Sequence, residues 1–336
     1  RSLRRIDYSD GPFDSWQPLG LVVHVTPGNA PLLGFFAALE SLLAGNVNWL
    51  RPSTRDADLT ARVLATFLDC DPSGQLRDYV AVLPVPYHEC RRLFALAQGV
   101  SAWGGETALK AMRDQLPSGC RWIDWGHRIS FAYVTPQAAN EQALDSLVDE
   151  VCRLDQQACS SPQWLLVDSD EPVQMQALGD ALADAFERRA GQWPALETSA
   201  AEACEITTRT ALARLDHSFT GQTGQIWEGH GWRIIWEHHR DLLPSPLFRT
   251  LLLRPVPQGL ITQTLLPWRN VLQSCALICE PQRAPELARC VLAAGVTRIS
   301  ATADIQQGYE GEPHDGVYAL QRLSRRVSVG LERGVA

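Results

Sequence analysis

Cys159 stands in the run Asp155-Gln156-Gln157-Ala158-Cys159-Ser160-Ser161-Pro162-Gln163, directly ahead of the apolar stretch 164–167. Far upstream, after the apolar run 19–25, comes the turn Thr26-Pro27-Gly28-Asn29-Ala30-Pro31. A thiol between small residues at the mouth of a strand, with an asparagine on a Pro/Gly turn, is the pairing that acyl-thiol chemistry needs. The thiol attacks a carbonyl, and the Asn29 amide with the Cys159 backbone N–H holds the oxygen that becomes negative. Each motif also has a plainer reading. A free cysteine is most often a small buried residue, and Asn and Gly both favour turns. Their order and separation make the pair informative.

The rest of the chain narrows the chemistry. Its 336 residues suffice for a full core and predict two domains. Hydrophobic residues make up 45% and charged ones 20%, which argues against disorder. A net charge of −8 gives no basic face for nucleic acid. Lys110 is the only lysine and lies in an ordinary helical pattern, so Schiff-base catalysis is disfavoured. The nine cysteines are scattered without a C-x-x-C, which indicates neither a disulfide framework nor a metal site. No run of about 18 apolar residues predicts a membrane span, and no signal peptide is read at the start. The expected location is cytoplasmic.

Positioning elements follow from periodicity. Apolar runs at 19–25, 47–50, 79–85, 100–103 and 129–134 read as strands. Helical patterns at 31–44, 56–68, 88–98 and 106–115 lie between them. Repeated strand–helix units imply a parallel sheet with helices on both faces. The pattern resumes with a helix at 142–154, a strand at 164–167 and a helix at 173–189. Strands at 247–256, 272–279 and 298–301 and a helix at 285–294 complete it. The Trp- and His-rich stretch 190–245 has no clear period, and Trp227, Trp232 and Trp236 read equally well as pocket lining or as core. Gly104-Gly105 ahead of a helix offers backbone N–H groups to a phosphate, although the G-x-G-x-x-G fingerprint is missing.

Together these pieces resemble the aldehyde dehydrogenase superfamily, and within it the LuxC-type branch of acyl-CoA or acyl-protein reductases. The turn at 26–31, the helix after it and Gly45-Asn46-Val47-Asn48-Trp49-Leu50-Arg51-Pro52-Ser53 parallel the superfamily's Pro-Trp-Asn-x-Pro turn and Gly-Asn-x-Val-x-Leu-Lys-Pro strand. Gly104-Gly105 falls where the superfamily has its cofactor-side Gly-Ser. The Cys159 run and the ending Gly295-Val296-x-Arg298-Ile299 … His314-Asp315-Gly316 are similar to the LuxC branch. The resemblance covers about residues 16–330.

The resemblance implies a two-domain aldehyde-dehydrogenase-like α/β fold. A parallel-sheet nicotinamide-cofactor domain would occupy 1–140, an α/β catalytic thiol domain 141–315, and a returning segment 316–336. It implies reduction of an acyl thioester to an aldehyde, with Cys159 as nucleophile and Asn29 and the Cys159 amide as oxyanion donors. The donor would be acyl-CoA, an acyl carrier protein or an acyl-protein synthetase. Cofactor contacts carry over to Thr26, Pro27, Arg51, Ser53, Thr54, Arg55, Gly104, Gly105 and Gly126. The superfamily's ribose-binding Lys and Glu correspond to Arg51 and Thr54. An arginine fork and a lost carboxylate favour NADPH over NADH.

Departures qualify the match. Where the classical dehydrogenase has a water-activating Glu-Leu-Gly-Gly, this chain has Asp124-Trp125-Gly126-His127, which suits reduction better than hydrolysis. His127 is expected to pack or to touch the cofactor. No Glu-x-Phe is visible near 245–249, and the family's N-terminal region has no counterpart here. A homo-oligomer is one possible state. The rival readings are an aldehyde dehydrogenase running in the oxidising direction and a non-catalytic paralogue that docks an acyl carrier or synthetase.

Overall fold

The computed structural model describes residues 2–3, 13–28, 32–54, 56–220, 224–237, 241–309 and 311–329. It divides into two compact units, Arg1–His127 with Gly311–Ala336, and Arg128–Glu310. Both are built on largely parallel sheets, as repeated strand–helix units require. No helix among the described residues is long and apolar enough to cross a membrane.

The first unit holds a five-stranded parallel sheet in the order Val80–Val82, Val47–Arg51, Leu21–Val25, Gly99–Trp103, Arg121–Trp125. Its central strand is buried on both faces, which explains the unbroken apolar run. Val23 and Val25 pack with Val100, Ala102 and Leu109, while Val22 packs with Ile123, Trp125 and Leu323. Gly45, at φ 87°, stops the helix Leu33–Leu43, as a left-handed glycine should. Asn46 then spends its whole side chain on order. Its Oδ1 accepts from Leu19 N at 2.7 Å and Gly20 N at 3.1 Å, and its Nδ2 donates to Ser41 Oγ at 3.2 Å and Leu323 O at 2.8 Å. That last bond ties in the C-terminal segment, whose strand Ser324–Val329 pairs antiparallel with Phe13–Pro18.

The second unit holds seven strands in the order Gln225–Gly229, Trp232–Trp236, Thr250–Pro255, Pro162–Val167, Ile129–Val134, Leu272–Ile278, Arg298–Ser300. All neighbours are parallel except the first hairpin, which turns at His230-Gly231. Strand Ile129–Val134, which the sequence reading gave to the first domain, belongs to this sheet. It is buried along its whole length and pairs on both edges, so it cannot be separated from it. The unassigned stretch contains the helix Ala200–Thr220 and that hairpin. Trp227, Trp232 and Trp236 prove to be core. Trp232 stacks on Phe186 with ring centres 4.8 Å apart. Trp227 fills the space over Gly179, where a Cβ would lie 2.1 Å from its ring.

His24 is the odd residue of the central strand. It is fully buried, its Nε2 lies 3.0 Å from Asn48 Oδ1, and its Nδ1 has no hydrogen-bond partner among the described residues. Burial pulls its imidazole down to about 4, against which the Asn48 bond acts more weakly. The folded state therefore binds fewer protons than the unfolded chain between the unfolded value near 6.5 and about 4. Stability is complete above that window and is lost as pH falls through it, by up to about 3 kcal/mol. His24→Gln, which cannot titrate, should show a flatter thermal-melting profile across this window than the wild type. Equal slopes for the two proteins would refute the assignment.

Candidate active site

The helix Glu141–Cys152 buries Leu144, Leu147, Val148 and Val151 against the second sheet, and the chain then unwinds. Asp155 and Gln156 are left-handed, at φ 48° and 62°. Such values are uncommon outside glycine and persist only where surroundings fix them. Here they do. The Asp155 carboxylate, nearly fully buried, accepts from Arg249 Nε and from the Leu196 amide. The other Arg249 nitrogens donate to Ala190 O at 2.9 Å and Trp193 O at 3.1 Å, and Phe248 N donates to Asp155 O at 3.0 Å. The Gln156 side chain donates to Pro162 O at 2.8 Å and Thr250 O at 3.2 Å, and accepts from Thr250 N at 2.8 Å.

The partner segment is unusual too. Leu247, Phe248 and Arg249 are all left-handed, at φ 64°, 49° and 59°. The apolar character of Leu247 and Phe248 reads as strand, but the strand begins only at Thr250. Ser245 holds the turn, its hydroxyl donating to Thr250 O at 2.6 Å and accepting from Leu247 N at 2.9 Å.

Cys159 lies at the crest of the loop so anchored, and its side chain is exposed. Its carbonyl accepts from Ser130 Oγ at 2.7 Å, and Ser130 in turn accepts from Ser274 N at 3.1 Å. The preceding carbonyl, Ala158 O, accepts from Ser161 N at 3.0 Å. Both peptide planes flanking Cys159 are thus fixed, and with them the direction of its N–H. On the far side Gln306 Nε2 bridges Ser161 Oγ at 3.2 Å and Glu150 O at 2.6 Å. Burial pushes the Glu150 carboxyl up to about 7, opposed by Arg153 at 3.0 Å.

The other cysteines are placed differently. Burial pushes the thiol of Cys152 up to about 12 and raises those of Cys90, Cys120, Cys275 and Cys279 as well. Cys70 and Cys204 are exposed, but Cys70 caps the helix Ala57–Asp69 and Cys204 lies on the helix Ala200–Thr220.

The expected cofactor residues gather at one place in the first unit, the carboxyl end of its sheet. Thr26 and Pro27 follow Leu21–Val25, Ser53 and Thr54 follow Val47–Arg51, Gly104 and Gly105 follow Gly99–Trp103, and Gly126 follows Arg121–Trp125. That is where open parallel sheets bind ligands. Thr26 Oγ1 is buried without a hydrogen-bond partner among the described residues. A Cβ on Gly34 would crowd it at 3.4 Å and strike Thr60 at 2.9 Å. A side chain on Gly105, the N-cap of the helix Glu106–Arg113, would meet nothing within 4 Å. An orphaned hydroxyl and an open glycine cradle fit a dinucleotide. Arg51 is half-buried, with Nε donating to Val85 O at 3.1 Å, and Thr54 is exposed. Asn29 and Arg55 lie outside the described residues. The sequence reading missed Gly34, whose only signal was its place one residue into a helix.

The residues expected at the water-activating position, Asp124 and Trp125, are both engaged within the first unit. Asp124 accepts from Arg322 through its Oδ1 at 3.2 Å and its carbonyl at 2.9 Å. Trp125 is buried, donates to Ser101 Oγ at 2.9 Å and stacks on Trp103 at 5.5 Å, with the Arg322 guanidinium 4.3 Å over its ring. His127 is exposed.

The loop's dependence on its buried pair is testable. Arg249→Met leaves the Asp155 carboxylate buried without its counter-charge, which costs about 3–5 kcal/mol. Urea unfolding should show a loss on that scale, and adding Asp155→Asn to the same chain should recover part of it. Additive losses in the double variant would show that the two side chains do not act as a pair.

The long-chain acyl-protein thioester reductase of Aliivibrio fischeri is 26% identical over 318 residues, covering 93% of this chain and 64% of that protein. Long-chain acyl-protein thioester reductase 2 of Photobacterium leiognathi is 24% identical over 328 residues, with the same coverage of 93% and 64%. The chain thus spans 64% of the length of the curated relatives it matches first. Among solved structures, an NAD-dependent aldehyde dehydrogenase from Sinorhizobium meliloti superposes with a TM-score of 0.76 at 15% identity, over 100% of this chain and 72% of that one. The P. syringae indole-3-acetaldehyde dehydrogenase AldA, in complex with NAD+ and IAA, gives 0.75 at 16% identity, over 99% and 72%. The fold is that of the aldehyde dehydrogenases. The family model for acyl-CoA reductase (LuxC) matches residues 1–326, and the chain belongs to that family.

Proposed function

We propose that this protein reduces an acyl thioester to an aldehyde through an acyl group carried on Cys159. The observation that carries the reading is an exposed thiol on a loop whose two flanking peptide planes are hydrogen-bonded in place. The Cys159 sulfur attacks the thioester carbonyl and the carrier thiol departs. The Cys159 N–H and the Asn29 amide take the charge that develops on oxygen. When bound, a nicotinamide dinucleotide supplies the hydride that turns the acyl-cysteine into aldehyde. Thr26, Arg51, Ser53, Thr54, Gly104, Gly105 and Gly126 would hold it.

The donor is an acyl-CoA or an acyl group on a carrier protein or acyl-protein synthetase. The matched relatives are named for acyl-protein thioesters, which favours a protein-borne acyl group. Aldehyde oxidation needs a base to hydrolyse the acyl-enzyme, and the Asp124 carboxylate is instead engaged by Arg322. A role limited to docking would leave the anchored, exposed Cys159 without a purpose. Mass spectrometry after incubation with a long-chain acyl-CoA should show one acyl adduct, on Cys159. Cys159→Ala should lose both adduct and aldehyde. Acyl transfer surviving in that variant would overturn the assignment.

NADPH is the preferred cofactor on this reading. Thr54 removes the carboxylate that would repel a 2′-phosphate, and Arg51 supplies a guanidinium on the adjoining strand end. Arg55 adds a second charge if it faces the same side. Steady-state kcat/KM should favour NADPH. Thr54→Glu should lower it for NADPH by about tenfold or more while sparing NADH, the scale of one charge-assisted contact. Equal kcat/KM with both cofactors in the wild type would refute the preference.

A further inference from the structure

A second site lies behind the nucleophile loop. A cleft of about 330 Å³ in the second unit is lined by Leu196, Thr198, Ile206, Arg233, Phe248 and Arg249, among others. Arg249 is committed to Asp155, so that pair is neutral as a unit. Arg233, on the strand Trp232–Trp236, is different. It is half-buried, and its Nη1 donates to Thr250 Oγ1 at 2.8 Å and Phe248 O at 3.4 Å, both neutral acceptors. No carboxylate lies within ion-pair distance of it among the described residues. Its cross-strand neighbour Glu228 is instead paired with Arg214. Burial pulls the Arg233 guanidinium below its ordinary range, opposed more weakly by the charge of Glu228. A cation withdrawn from water without a direct ion pair is costly unless something pairs with it.

We propose that this cleft binds a carboxylate carried on an aliphatic chain, with Arg233 as its anchor. The charge fits one carboxylate and no more, since Arg233 is the lining cation with no ion pair among the described residues. The neighbouring start of the helix Ala200–Thr220 adds little pull. Ser199 and Glu202 cap it reciprocally, Ser199 N donating to Glu202 Oε2 at 2.7 Å and Glu202 N to Ser199 Oγ at 3.3 Å. The walls supply the rest of the specificity. Leu196 is 50% exposed at the cleft while Ile206 and Phe248 are buried beside it, so a hydrocarbon tail covers surface that water now wets. The occupant meets the Asp155–Arg249 pair from behind, at the point where the Cys159 loop begins.

Isothermal titration of the full chain with octanoate tests the site, with octanol, acetate and inorganic phosphate as comparison probes. Octanoate should bind once per chain, and each of the other three at least tenfold more weakly. Arg233→Met should weaken octanoate at least tenfold, and Arg233→Lys should retain part of the affinity. Ala203→Phe, on the exposed side of the helix that lines the cleft, should block binding without altering thermal stability. Cys159→Ala should bind octanoate like the wild type, which separates this site from the thiol chemistry. Unchanged affinity in Arg233→Met or Ala203→Phe, loss of binding in Cys159→Ala, or phosphate or octanol binding as well as octanoate would overturn the proposal.

Discussion

The buried pair of Asp155 and Arg249 is the interaction on which the geometry of the Cys159 loop rests. As a source of net stability such a pair is poor, because desolvating both charges roughly cancels their attraction. Its value is directional. Arg249 spends its remaining nitrogens on Ala190 and Trp193 carbonyls, so one guanidinium fixes the end of the helix Pro172–Arg189, the segment after it and the start of the Cys159 loop. Five left-handed residues, Asp155, Gln156 and Leu247 to Arg249, face one another across this pair. Each costs of order 1 kcal/mol. A pattern of that kind survives only where many bonds over-determine it, and here Gln156 and Ser245 provide them.

What the sequence shows of this is uneven, for physical reasons. Continuous apolar strands such as Leu21–Val25 and Pro162–Val167 announce themselves because a parallel sheet covered on both faces demands them. Arg121–Trp125 escaped notice as a strand, since only Ile123 and Trp125 of its five residues are buried. The helix Ala200–Thr220 buries Ile206, Thr210 and Ala213 at helical spacing, but two of those are small or polar and carry almost no apolar signal. The patterned helix at 88–98 shrinks to Cys90–Phe94, because Ala97 turns in and Gln98 feeds the next strand. At 247–249 local propensity pointed to strand and tertiary bonds overrode it. The Cys159 run stands out in the sequence by its small residues, yet nothing in one sequence marks Arg249 as the partner of Asp155.

On the proposed reading, the run Asp124-Trp125-Gly126-His127 stands where the dehydrogenases activate water. A carboxylate that activates water must be unencumbered and close to the acyl carbon. Trp125 instead completes a layer of Trp103, Arg322 and His314, the last edge-on with ring centres 5.0 Å apart. The same Arg322 holds Asp124, so one cation from the C-terminal segment both covers the indole and occupies the carboxylate beside it. Under the proposed function, an acyl-cysteine spared from hydrolysis would have time to accept hydride.

The fixed peptide planes around Cys159 are what the proposed acyl chemistry would draw on. In a trans peptide the N–H points opposite to the carbonyl of the same unit. Because Ala158 O is bound by Ser161 N, the Cys159 N–H is directed before any substrate arrives. Because Cys159 O is bound by Ser130, the loop cannot relax by rotating the next peptide instead. A donor oriented in advance costs no reorganisation when charge appears on the acyl oxygen, which is the source of most oxyanion stabilisation. Ser130 reaches Cys159 from a neighbouring strand and is itself held by the Ser274 amide of the strand beyond. Cys159 is therefore set by the rigid sheet, and a loop of small residues becomes a precise one.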